Sequence, residues 1–234
     1  MSSLPDVDFS LLSYFKISHM QVTILGASGQ IGRACLAESL RQGYQVKVLV
    51  RSPAKLGSFK NEVSIVEGNL LNASLLGEAL IGSVAVLNLA GGIKEPEQFK
   101  KFQQIAGNLV EQMNKLRIQR LVNISGAVSA VSGEKLELKR RVMKVFVSLF
   151  FRQMKQAQEG LMPVIEQAQN ISWTFVRPAM ITPNLTIGSI LVNDKKLPGN
   201  QVKLGDLAKF IVEQIKSEQW ILKAPMLCSM KPIK

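Results

Sequence analysis

The sequence predicts an α/β protein built on a doubly wound parallel sheet, and three observations carry that prediction. Short apolar runs alternate with amphipathic stretches of helical spacing along the chain. This is the pattern of βαβ units with helices on both faces of a sheet. The first apolar run, QVTIL (21–25), stops at a glycine loop, GASGQIG (26–32), which opens onto a helical pattern. The composition is that of a globular chain: 47% hydrophobic and 20% charged over 234 residues, with no low-complexity tract and no fixed-period repeat. That length suits one domain of ordinary size, alone or with a small lobe.

Residues 1–19 read as an N-terminal extension and 20–234 as a single domain, with substrate-side elements at about 127–156 and 178–204. Within the extension, FSLLSYFKI reads as a short helix. Two aspartates precede it and no basic region leads it, so it does not read as a secretory signal. Gln21–Leu25 is a buried strand, because its apolar residues are consecutive rather than alternating. Ile31–Gln42 is a helix ended by Gly43. YQVKVLVR (44–51) is the second strand, and VSIVEGNL (63–70) holds the third. LLGEALIG (75–82) is helical and SVAVLNLAG (83–91) is the fourth strand. Phe99–Leu116 forms a long helix and RLVNIS (120–125) the fifth strand. Glu159–Gln169 is helical, and Pro163 must sit early in that helix or kink it. SWTFVRP (172–178) is the sixth strand, stopped by Pro178. GDLAKFIVEQI (205–215) is a late helix with Asp206 as its N-cap, and APMLCSM (224–230) is a last strand.

Several function classes are excluded at once. The only histidine, His19, precedes the first strand, which removes a Ser-His-Asp triad and most metal-hydrolase designs. Cys35 and Cys228 stand far apart, so neither a disulfide scaffold nor a zinc site is expected. No metal is expected. No segment reaches the roughly 20 apolar residues that span a bilayer. The expected location is the cytoplasm. The net charge of +12 predicts attraction to anions without choosing among them.

The glycine loop narrows that choice. Gly26-x-x-Gly29-x-x-Gly32 lies between a strand and a helix, the context that makes such a motif meaningful. Gly26 permits the tight turn, Gly29 lets a pyrophosphate approach the backbone, and Gly32 lets the helix pack against the strand. The helix N-terminus then presents N–H groups and a partial positive charge to the phosphates. A site for NAD would place Asp or Glu at the end of the second strand, on the ribose 2′-hydroxyl. Arg51 stands there, with Lys55 and Arg33 nearby. A guanidinium binds phosphate bidentately, so the sequence favours NADP(H) over NAD(H).

The chain resembles the atypical short-chain dehydrogenase/reductase superfamily, in particular its NAD(P)H-binding group of nitrogen-metabolite-regulator-like proteins and biliverdin/flavin reductases. The segments that carry the resemblance are GASGQIG (26–32), VRSPAKL (50–56), VEGNLLN (66–72), NLAGG (88–92), RLVNISG (120–126), SWTFVRPAMIT (172–182) and KLGDLAKFI (203–211). The resemblance implies a Rossmann-type NAD(P)-binding fold with a small C-terminal substrate-side region. It implies that Gly26, Ser28, Gly29, Gln30, Ile31 and Gly32 wrap the pyrophosphate and that Arg51 meets the 2′-phosphate. Asn69 and Leu70 would edge the adenine, with Asn69 standing where the family commonly has Asp. Ala90 and Gly91 would pass the adenine-side ribose. Ser125 would lie near the nicotinamide, and the loop 177–182, with Pro178, would close on the carboxamide. Arg177 is either part of that loop's function or a structural charge pair.

One departure bears on chemistry. Reductases of this superfamily use Tyr-x-x-x-Lys, the tyrosine as proton donor and the lysine to hold the ribose and lower the tyrosine pKa. Here the matching frame reads Phe151-x-x-x-Lys155, and the two tyrosines, Tyr14 and Tyr44, lie elsewhere. Ser125 and Lys155 remain as the candidate catalytic residues. The expected activity is NADPH-dependent reduction of a small organic acceptor that needs no tyrosine acid, such as a flavin, quinone or tetrapyrrole, or one protonated through Ser125 and water. The alternative is a non-catalytic NADP(H) sensor or assembly factor. An epimerase or dehydratase of nucleotide sugars ranks third, because it needs the tyrosine and a longer C-terminal lobe. Residues 135–156 carry seven basic side chains with apolar ones between them at helical spacing. This stretch reads first as a helix with a solvated basic face, and otherwise as a site lid, a membrane contact or a partner surface. No dedicated nucleic-acid site is expected.

Overall fold

A computed structural model describes residues 20–91, 97–135, 137–138, 140–141 and 152–230. The N-terminal extension with Tyr14 and His19, Phe151, most of the basic stretch and the side chain of Lys155 lie outside the described residues.

The elements follow in chain order. They are β1 (Gln21–Leu25), α1 (Gln30–Arg41), β2 (Gln45–Val50), a 3₁₀ segment (Pro53–Asn61), β3 (Ser64–Glu67), α2 (Ala73–Leu80), β4 (Ser83–Asn88) and α3 (Gln98–Lys115). Then come β5 (Arg120–Ile124), α4 (Arg152–Glu166), β6 (Ser172–Pro178), β7 (Met180–Thr182), β8 (Ile190–Asn193), β9 (Gln201–Lys203), α5 (Leu204–Glu213) and β10 (Met226–Ser229). One eight-stranded sheet runs in the order β3-β2-β1-β4-β5-β6-β10-β8. Its first six strands are the doubly wound order, all parallel. β10 joins β6 in parallel, and β8 closes the edge antiparallel to β10. The fold is the α/β, Rossmann-type arrangement that the alternation of elements predicts.

The consecutive apolar residues of the strands are explained by burial on both faces. Successive side chains point to opposite sides. Ile24, Val48, Leu87, Val122 and Val176 enter one core with Cys35 and Leu36 of α1 and Phe210 and Ile211 of α5. Their neighbours Leu25, Leu49, Val86, Leu121 and Phe175 enter a second core with Leu76 of α2, Phe102 and Ile105 of α3 and Leu161 of α4.

Four expectations are corrected. Asp206 is not the N-cap of α5, which is Lys203 with no side-chain cap. Asp206 lies in the first turn, buried, and accepts hydrogen bonds from the Gly188 amide and the Ser229 hydroxyl, so it staples the loop before β8 to β10. α4 begins at Arg152, before Glu159, which puts Pro163 in the last part of the helix rather than early in it. The stretch 177–182 is not a loop: β6 runs through Pro178, and Met180–Thr182 pairs with β9 in a small parallel sheet. Arg140, in the basic stretch, is not on a solvated face; it is completely buried.

Candidate functional site

β1 ends at Leu25 and the chain turns sharply at Gly26, whose φ is +82°. A side chain there would meet Ala90 N at 2.7 Å, so glycine is required both by the left-handed backbone and by the close passage of the chain after β4. The turn is closed by Gly29 N donating to Gly26 O at 3.0 Å. A Cβ on Gly32 would run into the Gly26 carbonyl, so the first turn of α1 packs directly on the loop. Gly29 is the N-cap of α1, with no side-chain cap and no acidic residue in the first turn. The positive end of the helix is therefore offered to a ligand rather than to the protein's own carboxylates.

Beside this turn lies a cleft of about 510 Å³, of a size that takes half or more of a dinucleotide. It sits at the C-terminal ends of β1, β2, β3 and β4, where open α/β sheets bind ligands. Eight predicted residues line it: Gly26, Ser28, Gly29, Arg51, Asn69, Leu70, Ala90 and Gly91. Leu49, Leu71 and Ile105 add an apolar wall that the sequence reading missed. Ile105 comes from α3, and only the packing of that helix brings it here. Among the described residues, no carboxylate lines it.

Arg51 is exposed on the rim. Behind it, Arg33 Nη1 donates to Lys55 O at 2.8 Å, and its guanidinium lies 5.7 Å from the Phe59 ring centroid. Arg33 thus holds the segment after β2 in place, with Gly57 at φ +63° turning the chain around it. Asn69 Oδ1 accepts from Leu71 N at 2.9 Å, so the oxygen is used within its own turn and Nδ2 is the group left to meet a base. Asn108 of α3 donates to Leu71 O at 3.1 Å and braces that turn.

The other predicted residues stand apart from the cleft. Gln30 and Ile31 open α1, Ile31 packing on the core, and Gly32 lies buried beneath the turn. Pro178 is buried at the end of β6. Ser125 follows β5, held by its amide to Val176 O at 2.8 Å. It is 5% exposed, and its hydroxyl has no hydrogen-bond partner among the described residues. Two positions before it, Asn123 Oδ1 accepts from Asn88 Nδ2 at 2.6 Å, joining β4 to β5 by a buried side-chain pair. Lys155 is in the first turn of α4. Tyr44 is in the core, and burial pushes its phenol up to about 12, which makes it no proton donor for the site. Arg177 is a structural charge pair: it is 1% exposed and bridged to Glu134 at 2.6 Å. The thiol of Cys35 is buried and pushed far above its ordinary range by burial, then by Glu38. Such a thiol is inert.

The arrangement is that of a dinucleotide-binding α/β protein: glycine turn, uncapped helix N-terminus, apolar base slot and cationic rim on one edge of the sheet. The model of the NAD(P)H-binding family matches residues 26–218, and the chain belongs to that family. A nicotinamide dinucleotide is therefore its cofactor class, in line with the resemblance that the motifs suggest. The uncharacterized protein YwnB of Bacillus subtilis (strain 168) is 27% identical over 160 residues, covering 68% of this chain and 72% of that protein. Among solved structures, the oxidoreductase ylbE of Lactococcus lactis is 20% identical with a TM-score of 0.72, covering 91% of this chain and 92% of that one. ChuY, an anaerobillin reductase from Escherichia coli O157:H7, is 15% identical with a TM-score of 0.73, covering 92% and 100%. At those identities the two structures share the fold with this chain. Among the described residues no helix is long and apolar enough to cross a membrane.

Proposed function

We propose that the protein is an NADPH-dependent reductase of a small organic acceptor that works without a catalytic tyrosine. The observation that carries the reading is Arg51 on the rim of a cleft that no carboxylate lines among the described residues. A 2′-phosphate would be met there by a guanidinium, and a free 2′-hydroxyl would find no acidic acceptor among the lining residues. The phosphates would rest on the amides of Ser28 to Ile31, and the base would lie against Leu49, Leu70 and Ile105. Lys155 would hold the nicotinamide-side ribose.

NADPH, when bound, supplies a hydride. The protein's own part is to orient the acceptor and provide the proton. Ser125 Oγ, buried and unpartnered, is the donor available at the end of β5, resupplied through water. An acceptor such as a flavin or quinone would take its proton from solvent. Beyond the end of β6, Met180 and Leu185 are each more than 60% exposed, and Ile187 is 48% exposed. These side chains would give the acceptor an apolar mouth.

A second reading, a cofactor sensor that does no chemistry, is favoured by Phe151 in the tyrosine frame and by the burial of Tyr44. One experiment separates them: calorimetric titration with NADPH and NADH, then NADPH oxidation with flavin and quinone acceptors. Acceptor-dependent oxidation supports the reductase. Tight NADPH binding with no oxidation of any acceptor supports the sensor, and binding of neither nucleotide refutes both.

A further inference from the structure

The loop after β5 contains an ion cluster that the chemistry above does not use. Glu134 divides its carboxylate between two guanidiniums: Oε1 accepts from Arg140 Nη1 and Oε2 from Arg177 Nη1 at 2.6 Å. Both arginines are buried, Arg140 completely. Their other donors go to main-chain carbonyls. Arg140 donates to Ala127 O at 2.8 Å and Ser129 O at 2.7 Å. Arg177 donates to Ser129 O at 3.0 Å, Ala224 O at 2.8 Å and Asp194 O at 3.2 Å. Val131 N donates to Glu134 Oε2 at 3.2 Å, and Ser132 N to Glu166 Oε2 of α4 at 2.9 Å.

Every guanidinium nitrogen is thus occupied, so the cluster is not a pocket for a substrate anion. What it fixes is backbone. Arg177 is rigid in β6, Asp194 follows β8, Ala224 precedes β10, Glu166 ends α4 and Arg140 lies in the basic stretch. Arg140, Arg177 and Glu166 meet on residues 127–134, while Asp194 and Ala224 hold Arg177 through their carbonyls. The loop leaves the sheet at Ser125–Gly126 and turns back through Ser129 N to Gly126 O at 2.9 Å. The sheet holds Ser125 through its amide, which donates to Val176 O at 2.8 Å, and this loop follows Ser125 directly in the chain. Two buried cations facing one another need the carboxylate between them, because a single unpaired buried charge is strongly disfavoured.

We propose that Glu134 is a positioning residue for the nicotinamide end of the site. Its charge clamps Arg140 to Arg177, and the clamped loop sets where Ser125 and the nicotinamide lie relative to each other. The proposal rests on the reductase reading. It differs from a merely structural role in predicting an effect on the nicotinamide that spares the adenosine half, since Arg51 and the glycine turn lie on the other side of β4.

The test uses the full chain with Glu134→Gln, which keeps the shape and removes the charge, and Glu134→Asp, which keeps the charge. Three quantities are read: NADPH affinity, the fluorescence enhancement and lifetime of the bound nicotinamide, and the kcat for NADPH oxidation. Hydrogen exchange of the 127–134 amides is followed in parallel. Glu134→Gln is expected to bind NADPH within a few-fold of wild type. It should lose the nicotinamide enhancement, deprotect 127–134 and lower kcat by about 10–100-fold, the scale of a misplaced reacting group. Glu134→Asp should recover part of each. Wild-type nicotinamide emission in Glu134→Gln, whatever its melting temperature, overturns the proposal. If wild type binds NADPH but oxidises no acceptor, the reductase reading fails alone, and emission and exchange still decide the positioning role. If wild type binds no NADPH, both fall. Should Glu134→Gln not fold, Arg140→Lys, whose single ammonium cannot reach Glu134, Ala127 O and Ser129 O together, carries the same readouts: loss of emission with retained affinity supports the proposal, and unchanged emission overturns it.

Discussion

In the proposed function, Arg51 is the residue on which cofactor choice would turn. A charge-assisted hydrogen bond contributes about 1.5–3 kcal/mol, and a guanidinium can make two to one phosphate. Arg51→Ala is therefore expected to weaken NADPH binding by about 10–100-fold and leave NADH binding within about twofold, as read by paired calorimetric titrations. Equal losses for both nucleotides would refute the assignment. Gly32 makes a second prediction at this scale. Gly32→Ala places a Cβ against the Gly26 carbonyl, a backbone atom that cannot swing away. Overpacking of this kind costs about 1–3 kcal/mol, and the displaced turn should lose nucleotide binding as well; thermal unfolding and the same titration measure both. These residues were legible in the sequence because their constraints are local: three glycines at fixed spacing between a strand and a helix, and a cation one residue past a strand. Glu134 was not legible. Its partner Arg177 is 43 positions away, and no spacing rule announces a carboxylate shared between that guanidinium and one only six residues on.

At the scale of elements, the loop after β5 should behave as an acid-labile unit. Burial alone would raise the Glu134 pKa, but hydrogen bonds and charge from Arg140 and Arg177 outweigh it and hold the carboxyl below its ordinary value. A group depressed in the folded state contributes stability above its unfolded pKa and loses that contribution as pH falls through the folded one. Glu166, at the end of α4, is shifted the other way by burial and by the Glu134 charge, so it offsets part of the effect. Glu134→Gln isolates the term. Wild type should lose stability from about pH 5 downward more steeply than the variant does, in denaturant titrations across that range; parallel curves would contradict it. Asp206 gives a companion prediction. Asp206→Ala would remove the charged acceptor of the Gly188 amide and of the part-buried Ser229 hydroxyl, at a cost of about 1.5–3 kcal/mol in chemical denaturation. Both features explain where the sequence reading of elements failed. β7 and β9 have three residues each and β8 is a half-exposed edge, too short for a period to register. Asp206 has the residue type of a cap and is used instead as a staple, because the loop before β8 and the Ser229 hydroxyl reach it first.

The whole molecule sets the field in which the site works. The parallel sheet and both cores were readable from one signal, strands apolar at consecutive positions, since only a sheet covered on both faces can bury them. Charge was readable as a number but not as a role. The chain carries +12, while among the described residues the cleft's lining holds one cation and no carboxylate. The arginine of the rim can discriminate at contact, but the remaining positive charge acts over a distance limited by screening, about 8 Å at physiological ionic strength. Such a field raises the association rate of anions and falls steeply with salt. The 2′-phosphate adds close to two negative charges to the nucleotide, so NADPH should be steered more strongly than NADH. Stopped-flow association, followed by nicotinamide fluorescence from low to high salt, should show a steeper fall in the association rate for NADPH than for NADH. The dissociation rates should change far less, because the contacts that hold the bound nucleotide are short and poorly screened. In Arg51→Ala the two nucleotides should still differ in the slope of association rate against salt, since that slope reports the charge of the whole molecule, while the difference in their dissociation rates disappears. If the slope difference vanished with Arg51 alone, the steering would belong to one side chain, and the excess positive charge elsewhere on the surface would have no part in capturing the cofactor.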